Sequence, residues 1–261
     1  MLSSRKPDVM TRPLLTIVTV CFNAATTLRD TLASIAARPR TVEYIVIDGG
    51  STDATINILQ QHKNLIDVML SESDDGIFDA MNKGVRLAKG EYVAFLNADD
   101  SYVPGALQKL VSHIERSPHA GVLYADWIGI DQFGIEHVRV ADHLFRGRHR
   151  LCHQAVVARR SIFPISPFDL RYKLCADFDL LLRWQEEARG FERLPLSLVR
   201  FSETGASYKF LKQSAWEGIV VALRRAKFPW AQLFAIRAVL YVLRTYMRSI
   251  LCAQGSRSGK K

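Results

Sequence analysis

The first half of the chain alternates short apolar runs with segments whose apolar residues recur at helical spacing. Runs at residues 14–21, 43–48 and 90–96 indicate buried strands, because they are rich in β-branched and aromatic residues. Helical patterns follow the first two runs, through Leu28, Leu32 and Ile35 and then through Ile56, Ile58 and Leu59. This alternation predicts an α/β fold with a doubly wound, mostly parallel sheet.

Polar residues stand where these predicted strands end. The carboxyl ends of parallel strands meet at one edge of a sheet, which is where open α/β sheets bind ligands. The pair Asp99 and Asp100 offers hard oxygen ligands, which suit Mg²⁺ or Mn²⁺ held against a diphosphate. The alternative is that this segment only turns the chain and caps the helix that begins near Pro104. The strand ends carry Phe22, Asn23, Asp48, Asn97, Ala98, Asp99 and Asp100.

Asp48 precedes two glycines, which allow a ligand to approach the backbone closely. A contact with a base or ribose is one interpretation, and a turn followed by a helix capped by Ser51 or Asp53 is the other. Further along, Asp75 and Gly76 indicate a turn before a predicted helix. On that helix Lys83 can offset phosphate charge, or it can be an ordinary solvated cation.

These motifs resemble those of glycosyltransferase family 2, whose nucleotide-sugar domain has the GT-A fold. The resemblance covers residues 14–207 and rests on residues 16–23 (TIVTVCFN), 47–53 (IDGGSTD) and 73–84 (SDDGIFDAMNKG). It implies a GT-A fold with a nucleotide-binding N-terminal half. It also implies an inverting, metal-dependent transfer from a nucleotide diphosphate sugar, with a UDP-sugar expected. The implied acceptor is a hydroxyl of a lipid-linked compound or a polysaccharide.

The resemblance also implies site residues. It places Thr19 and Asp48 at the nucleoside, and the segment from Asp75 to Lys83 beside the pyrophosphate. Asp99 is the implied ligand of Mg²⁺ or Mn²⁺. The family carries an acidic residue two positions before it, where this chain has Asn97. The full set expected at the donor is Thr19, Phe22, Asn23, Asp48, Asp75, Asn82, Lys83, Asn97, Ala98 and His153.

Two further residues follow from the resemblance. His153 belongs to a His-Gln step similar to that of a bacterial polysaccharide subgroup, which implies contact with a phosphate or an acceptor. A structural histidine is the alternative. Asp177 stands where the family carries its catalytic base at the start of a helix, and we prefer it to Asp179. A helix N-cap, which stabilises by about 1 kcal/mol, is the alternative for either carboxylate.

Two other functions remain open for such a fold. A polyprenyl-phosphate sugar synthase transfers to a phosphate and needs no strong base, whereas a sugar-nucleotide-binding protein transfers nothing. The presence of both Asp99 and Asp177 argues against the second. Nucleic-acid binding is not expected, because no nucleic-acid motif accompanies the net charge of +9.

The C-terminal part combines apolar and basic residues. We expect an N-terminal extension (1–13), the GT-A domain (14–207), amphipathic helices (208–252) broken at Pro229, and a basic tail (253–261). The helices can lie on an anionic membrane surface, or pack on the catalytic domain or on a second subunit in a homo-oligomer. No apolar stretch precedes the first predicted strand, so we expect no signal peptide, and the four cysteines lack metal-site spacing. These features predict a cytoplasmic protein at the inner face of the cytoplasmic membrane.

Overall fold

One mixed sheet organises the protein, for which a computed structural model describes residues 12–117, 119–146, 150–187, 189–225 and 229–243. The strands are β1 (Leu15–Cys21), β2 (Val42–Asp48), β3 (Val68–Ser71), β4 (Tyr92–Phe95), β5 (Ser101–Tyr102), β6 (Val122–Ile130), β7 (Glu136–Arg139), β8 (Val156–Arg159) and β9 (Phe191–Ser202). The helices are α1 (Leu28–Ile35), α2 (Thr55–Gln61), α3 (Ile77–Leu87), α4 (Ala106–Arg116), α5 (Ala176–Glu186), α6 (Ala206–Lys209), α7 (Leu211–Arg225) and α8 (230–243).

The strand order is β3-β2-β1-β4-β8-β6-β9-β5, with β7 paired to β6. Strands β1 to β4 are parallel neighbours, and β6 and β9, which are parallel to each other, run in the same direction. Strands β5, β7 and β8 run the opposite way. The predicted α/β fold with a mostly parallel sheet is therefore confirmed.

Helices cover both faces of the sheet, which explains why the first strands are continuous apolar runs. Ile17 of β1 packs in a core cluster with residues of α1 and α4. Its neighbour Val18 faces the opposite side and packs in a second cluster with residues of α3 and α5. Every residue of β1 and β2 is buried. Two apolar cores thus hold the carboxyl ends of β1, β2 and β4 at one edge.

Asp100 is turned into the protein. Its carboxylate accepts hydrogen bonds from the Gln154 amide (2.9 Å) and from the Ser202 backbone N–H (2.9 Å). The Thr31 hydroxyl donates to its backbone carbonyl at 2.7 Å. The strand pattern placed both Asp99 and Asp100 at the edge of the sheet, and only the family resemblance selected Asp99. In the structure these donors hold Asp100 in the interior. The loop after β4 is thereby joined to α1, to the 3₁₀ turn His153–Ala155 and to the end of β9.

The last described helices pack on the rest of the protein through one face. Val221 and Ala222 of α7 are fully buried in the cluster that contains α5. Glu217 accepts a hydrogen bond from the Leu174 backbone N–H at 2.7 Å. The opposite face is open, with Trp216 67% and Leu223 56% exposed. The domain boundary at residue 207 stays a prediction. Residues 1–11 of the predicted extension, residues 244–252 and the basic tail lie outside the described residues.

We predict that Asp100→Ala destabilises the protein. It leaves the Gln154 amide and the Ser202 N–H without their acceptor, and each unpaired buried donor costs about 1 to 3 kcal/mol. The free energy of unfolding, measured by urea denaturation, should fall by roughly 2 kcal/mol or more. Unchanged stability would contradict the role assigned to this carboxylate.

Asp100→Asn is the matched variant for pH dependence. Burial, together with the Asp99 charge, raises the pKa of the Asp100 carboxyl well above its usual value. A group whose pKa is raised on folding loses its stabilising contribution as the pH rises. The wild-type protein should therefore lose stability relative to Asp100→Asn as the pH rises above about 4, the unfolded-state pKa. Urea denaturation across this range measures the difference.

Candidate functional site

A cleft of about 700 Å³ opens at the edge of the sheet where β1 and β4 end. It also reaches the end of β9, the start of α5 and the short helix α6. Seven of the predicted site residues line it, contributed by segments that are far apart in sequence. They are Phe22, Asn23, Asn97, Ala98, Asp99, His153 and Asp177.

Asp99 presents its side chain to this cleft. The side chain is exposed, yet the surrounding protein partly desolvates the carboxylate and raises its pKa. Its own backbone N–H and its neighbours Lys209 and His153 act in the opposite direction. A carboxylate that opens into a concave site with a lysine nearby suits the binding of a charged ligand.

The loop after β4 offers two oxygen donors to a cation. Besides the Asp99 carboxylate there is the side-chain oxygen of Asn97, which is buried and has no hydrogen-bond partner among the described residues. The described residues contain no cluster of three or more His, Cys, Asp or Glu side chains that could hold a metal. Mg²⁺ is commonly bound by one or two carboxylates together with substrate phosphates, so this donor set fits an ion shared with a ligand.

Asp177 and His153 form a pair at the cleft. His153 Nδ1 lies 3.1 Å from an Asp177 carboxylate oxygen. His153 begins a 3₁₀ turn and Asp177 lies in the first turn of α5, so the pair joins two elements. Nε2 of His153 has no hydrogen-bond partner in the described part of the chain. The imidazole thus orients a carboxylate that can accept a proton from a ligand.

Asp179 has a different environment, although it is only two residues from Asp177. Residues two apart do not share a helix face. Asp179 is 1% exposed, and its carboxylate lies 3.1 Å from Arg183 Nε and 2.9 Å from Arg225 Nε. It therefore ties α5 to α7, whereas Asp177 faces the cleft.

Two residues expected at the nucleoside do not line the cleft. Thr19 is fully buried and accepts a hydrogen bond from the Tyr44 hydroxyl at 3.0 Å. Asp48 is also fully buried, and its carboxylate accepts hydrogen bonds from the N–H groups of Gly50 and Ser51, both at 3.1 Å. Asp48 shapes the turn after β2, and direct contact with a nucleoside stays a prediction.

Three residues of the segment expected beside a pyrophosphate also do not line the cleft. Asn82 exchanges two hydrogen bonds with the backbone of Phe168, at 2.9 and 3.0 Å. Lys83 forms an ion pair with Glu72 at 2.9 Å. Asp75 is exposed and donates its N–H to Asp79 at 3.3 Å. These contacts stabilise the segment itself, and donor contacts by the three residues stay predictions.

Several residues that line the cleft were not anticipated from the sequence. Trp127 comes from β6, whereas Lys173 and Lys209 come from the segments before α5 and after β9. No local motif marks them, because only the folding of distant segments brings them to the site.

The sequence profile described as Glycosyl transferase family 2 matches residues 16–154. The PGL/p-HBAD biosynthesis glycosyltransferase of Mycobacterium bovis (strain BCG / Pasteur 1173P2) is 35% identical over 181 residues, covering 67% of this chain and 70% of that protein. The putative glycosyltransferase EpsE of Bacillus subtilis (strain 168) is 25% identical over 259 residues, covering 92% of this chain and 91% of that protein.

Solved structures share the fold at lower sequence identity. Residues 1–349 of S. aureus TarS superpose with a TM-score of 0.63 at 17% identity, covering 88% of this chain and 73% of that chain. The mannosyltransferase PcManGT from Pyrobaculum calidifontis, solved with GDP-Man and Mn²⁺, gives a TM-score of 0.61 at 17% identity. The match covers 98% of this chain and 83% of that chain. The expected GT-A fold is confirmed, and the chain is a glycosyltransferase that belongs to glycosyltransferase family 2.

Proposed function

We propose that this protein is an inverting, metal-dependent glycosyltransferase. It would transfer one sugar from a nucleotide diphosphate sugar, a UDP-sugar, to a hydroxyl of a lipid-linked or polysaccharide acceptor. The observation that carries the proposal is that Asp99 and Asp177 face the same cleft from different elements. Asp99 would bind the metal ion that accompanies the diphosphate, and Asp177 would accept the proton of the acceptor hydroxyl.

The names of similar proteins support this choice of donor and acceptor. The mycobacterial relative is named for PGL/p-HBAD biosynthesis, and a further relative is named for teichuronic acid biosynthesis. TarS has been solved with UDP and with UDP-GlcNAc, whereas PcManGT has been solved with GDP-Man. UDP and GDP are therefore the two donor classes to compare.

Asp177 would be the general base of the transfer. The acceptor oxygen forms a bond to the anomeric carbon while the bond from that carbon to the diphosphate oxygen breaks. Attack from the face opposite the leaving group inverts the anomeric configuration. The hydroxyl proton passes to the Asp177 carboxylate, which His153 orients from 3.1 Å. The electron pair of the broken bond leaves with the nucleoside diphosphate.

Charge builds up on the diphosphate as it leaves, and groups that offset this charge lower the barrier. Asp99 and the Asn97 side-chain oxygen would hold Mg²⁺ or Mn²⁺, which supplies positive charge to the diphosphate when bound. Phe22 and Asn23 lie on the same cleft, and Phe22 is 62% exposed there. Phe22 would cover the flat face of a nucleoside.

The C-terminal helices would hold the enzyme at a membrane surface. In the described residues no helix combines the length and apolarity that crossing a bilayer requires. On α8, however, exposed apolar side chains recur at helical spacing at Ile236, Val239, Leu240 and Leu243. A basic segment with an exposed apolar face is suited to lie on an anionic membrane surface. Such contact would bring the cleft close to a lipid-linked acceptor.

Calorimetry of nucleotide binding tests the donor site. We expect UDP to bind the wild-type protein more tightly than GDP or dTDP does. UDP should also bind more tightly with Mn²⁺ than without it. In Asp99→Ala the gain from Mn²⁺ should be lost, because the carboxylate that holds the ion is gone. Asp169→Ala, at an exposed ion pair with Arg171, is the control and should bind as the wild type does. Binding of none of the three nucleotides would contradict the donor site.

The base assignment is tested by Asp177→Asn. Release of UDP from a UDP-sugar, measured with lipid-linked saccharide acceptors, should slow by about 10²- to 10⁴-fold. Binding of UDP should be unchanged, because Asp177 acts on the acceptor. Asp169→Asn should retain wild-type turnover. Undiminished turnover of Asp177→Asn with a saccharide acceptor would refute the assignment of Asp177 as the base. If the wild type and Asp177→Asn both transfer sugar to polyprenyl phosphate and neither uses a saccharide acceptor, the protein would be a polyprenyl-phosphate sugar synthase.

Membrane contact is tested by sedimentation with vesicles of phosphatidylcholine, with and without phosphatidylglycerol. The double variant Ile236→Ser and Leu240→Ser removes two exposed apolar side chains from the face of α8 described above. We expect binding to anionic vesicles to weaken by at least about tenfold, because burying each side chain is worth about 1.5 to 3 kcal/mol. Phe133→Ser is the control, since Phe133 is 77% exposed in the turn between β6 and β7. Equal binding of the wild type and the double variant to anionic vesicles would exclude this face as the membrane-binding surface.

A further inference from the structure

Two lysines in the cleft are not used by the assignments above. Lys173 donates a hydrogen bond to the backbone carbonyl of Asp75 at 3.3 Å. Lys209 is exposed on the cleft and has no ion-pair partner among the described residues. A diphosphate carries more negative charge than one shared divalent ion offsets, and the Asp99 carboxylate adds to that negative charge. An ammonium group without an ion-pair partner in this cleft therefore requires an explanation.

The segment that leads to Lys209 is fixed at several points. The Ser202 backbone N–H donates to the buried Asp100 carboxylate at 2.9 Å. Glu203 follows, and its carboxylate accepts two hydrogen bonds from the Arg139 guanidinium, both at 2.9 Å. The Glu203 backbone N–H donates to the carbonyl of Ile130 at 2.8 Å. The end of β9 is therefore held on both sides before the chain turns towards α6.

This turn lies directly against the carboxylate expected to bind the metal. A Cβ atom added to Gly205 would lie 3.7 Å from an Asp99 carboxylate oxygen. The Lys209 backbone N–H donates to the Gly205 carbonyl at 3.0 Å, which places Lys209 one helical turn further on. Lys209 and Asp99 line the same cleft and do not form an ion pair with each other.

We propose that Lys209 binds the diphosphate of the donor beside Asp99 and offsets the charge of the departing nucleoside diphosphate. The assignment rests on the proposed function and adds a second source of positive charge to it. Lysine binds phosphate as a compact point charge. In the described part of the chain, the loop after β4 offers a cation one carboxylate and one amide oxygen, so a lysine from the C-terminal side of β9 complements a sparse metal site. Its contribution does not depend on the metal.

The test compares Lys209→Met with the wild type by calorimetry, using UDP and uridine as probes, each with Mn²⁺ and with EDTA. GDP and guanosine replace them if GDP is the nucleotide that binds. We expect Lys209→Met to weaken UDP binding by roughly 10- to 100-fold, because a hydrogen bond to a charged group is lost. Uridine binding should not change. Lys209→Arg should recover most of the affinity for UDP.

Lys212→Met is the matched control, because Lys212 is an exposed lysine of the next helix and does not line the cleft. It should bind UDP as the wild type does. Equal UDP affinity of Lys209→Met and wild type would overturn the role of Lys209 and leave the donor site intact. An equal loss for UDP and uridine would also overturn it, since the effect would not concern phosphate. A wild-type protein that binds neither UDP nor GDP would overturn the donor site itself.

Discussion

The buried carboxylate of Asp100 is the contact on which the candidate site depends. It accepts hydrogen bonds from the 3₁₀ turn, through Gln154, and from the end of β9, through Ser202. Asp99 precedes it and is directed into the cleft, whereas His153 precedes Gln154 and contacts Asp177. The segment after Ser202 leads to Lys209. One interior carboxylate thus fixes the relative positions of the expected metal ligand, the expected base and the proposed phosphate ligand.

The fold could be predicted from the sequence to a large extent, because the parallel strands are buried on both faces. The runs that became β1, β2 and β4 are continuous and apolar, and their polar ends meet at one edge as expected. What the sequence could not show is which polar side chain turns inward. By strand pattern Asp99 and Asp100 are equivalent. The family resemblance selects Asp99, and the donors of distant Gln154 and Ser202 supply the physical reason why Asp100 turns inward.

The same limit applies to the residues that do not line the cleft. Asp48 was recognised as a special position, but its carboxylate is engaged by the N–H groups of its own turn. Lys83 lies in a recognisable segment, yet neighbouring Glu72 pairs with it. Lys209 shows the opposite case, since no motif surrounds it and the topology alone carries it to Asp99. The turn after β2, the ion pair with Glu72 and the chain topology decide where these three side chains lie, and a linear pattern does not show such contacts.

A structure with ligand bound tests the central claim most directly. We would determine the crystal structure of the wild-type protein with UDP and Mn²⁺. The account predicts the diphosphate in the cleft between Asp99 and Lys209, the ion on Asp99, and the Asp177 carboxylate open to the space where an acceptor would lie. A nucleotide bound elsewhere, with Asp99 and Asp177 facing an empty cleft at saturating UDP, would contradict it.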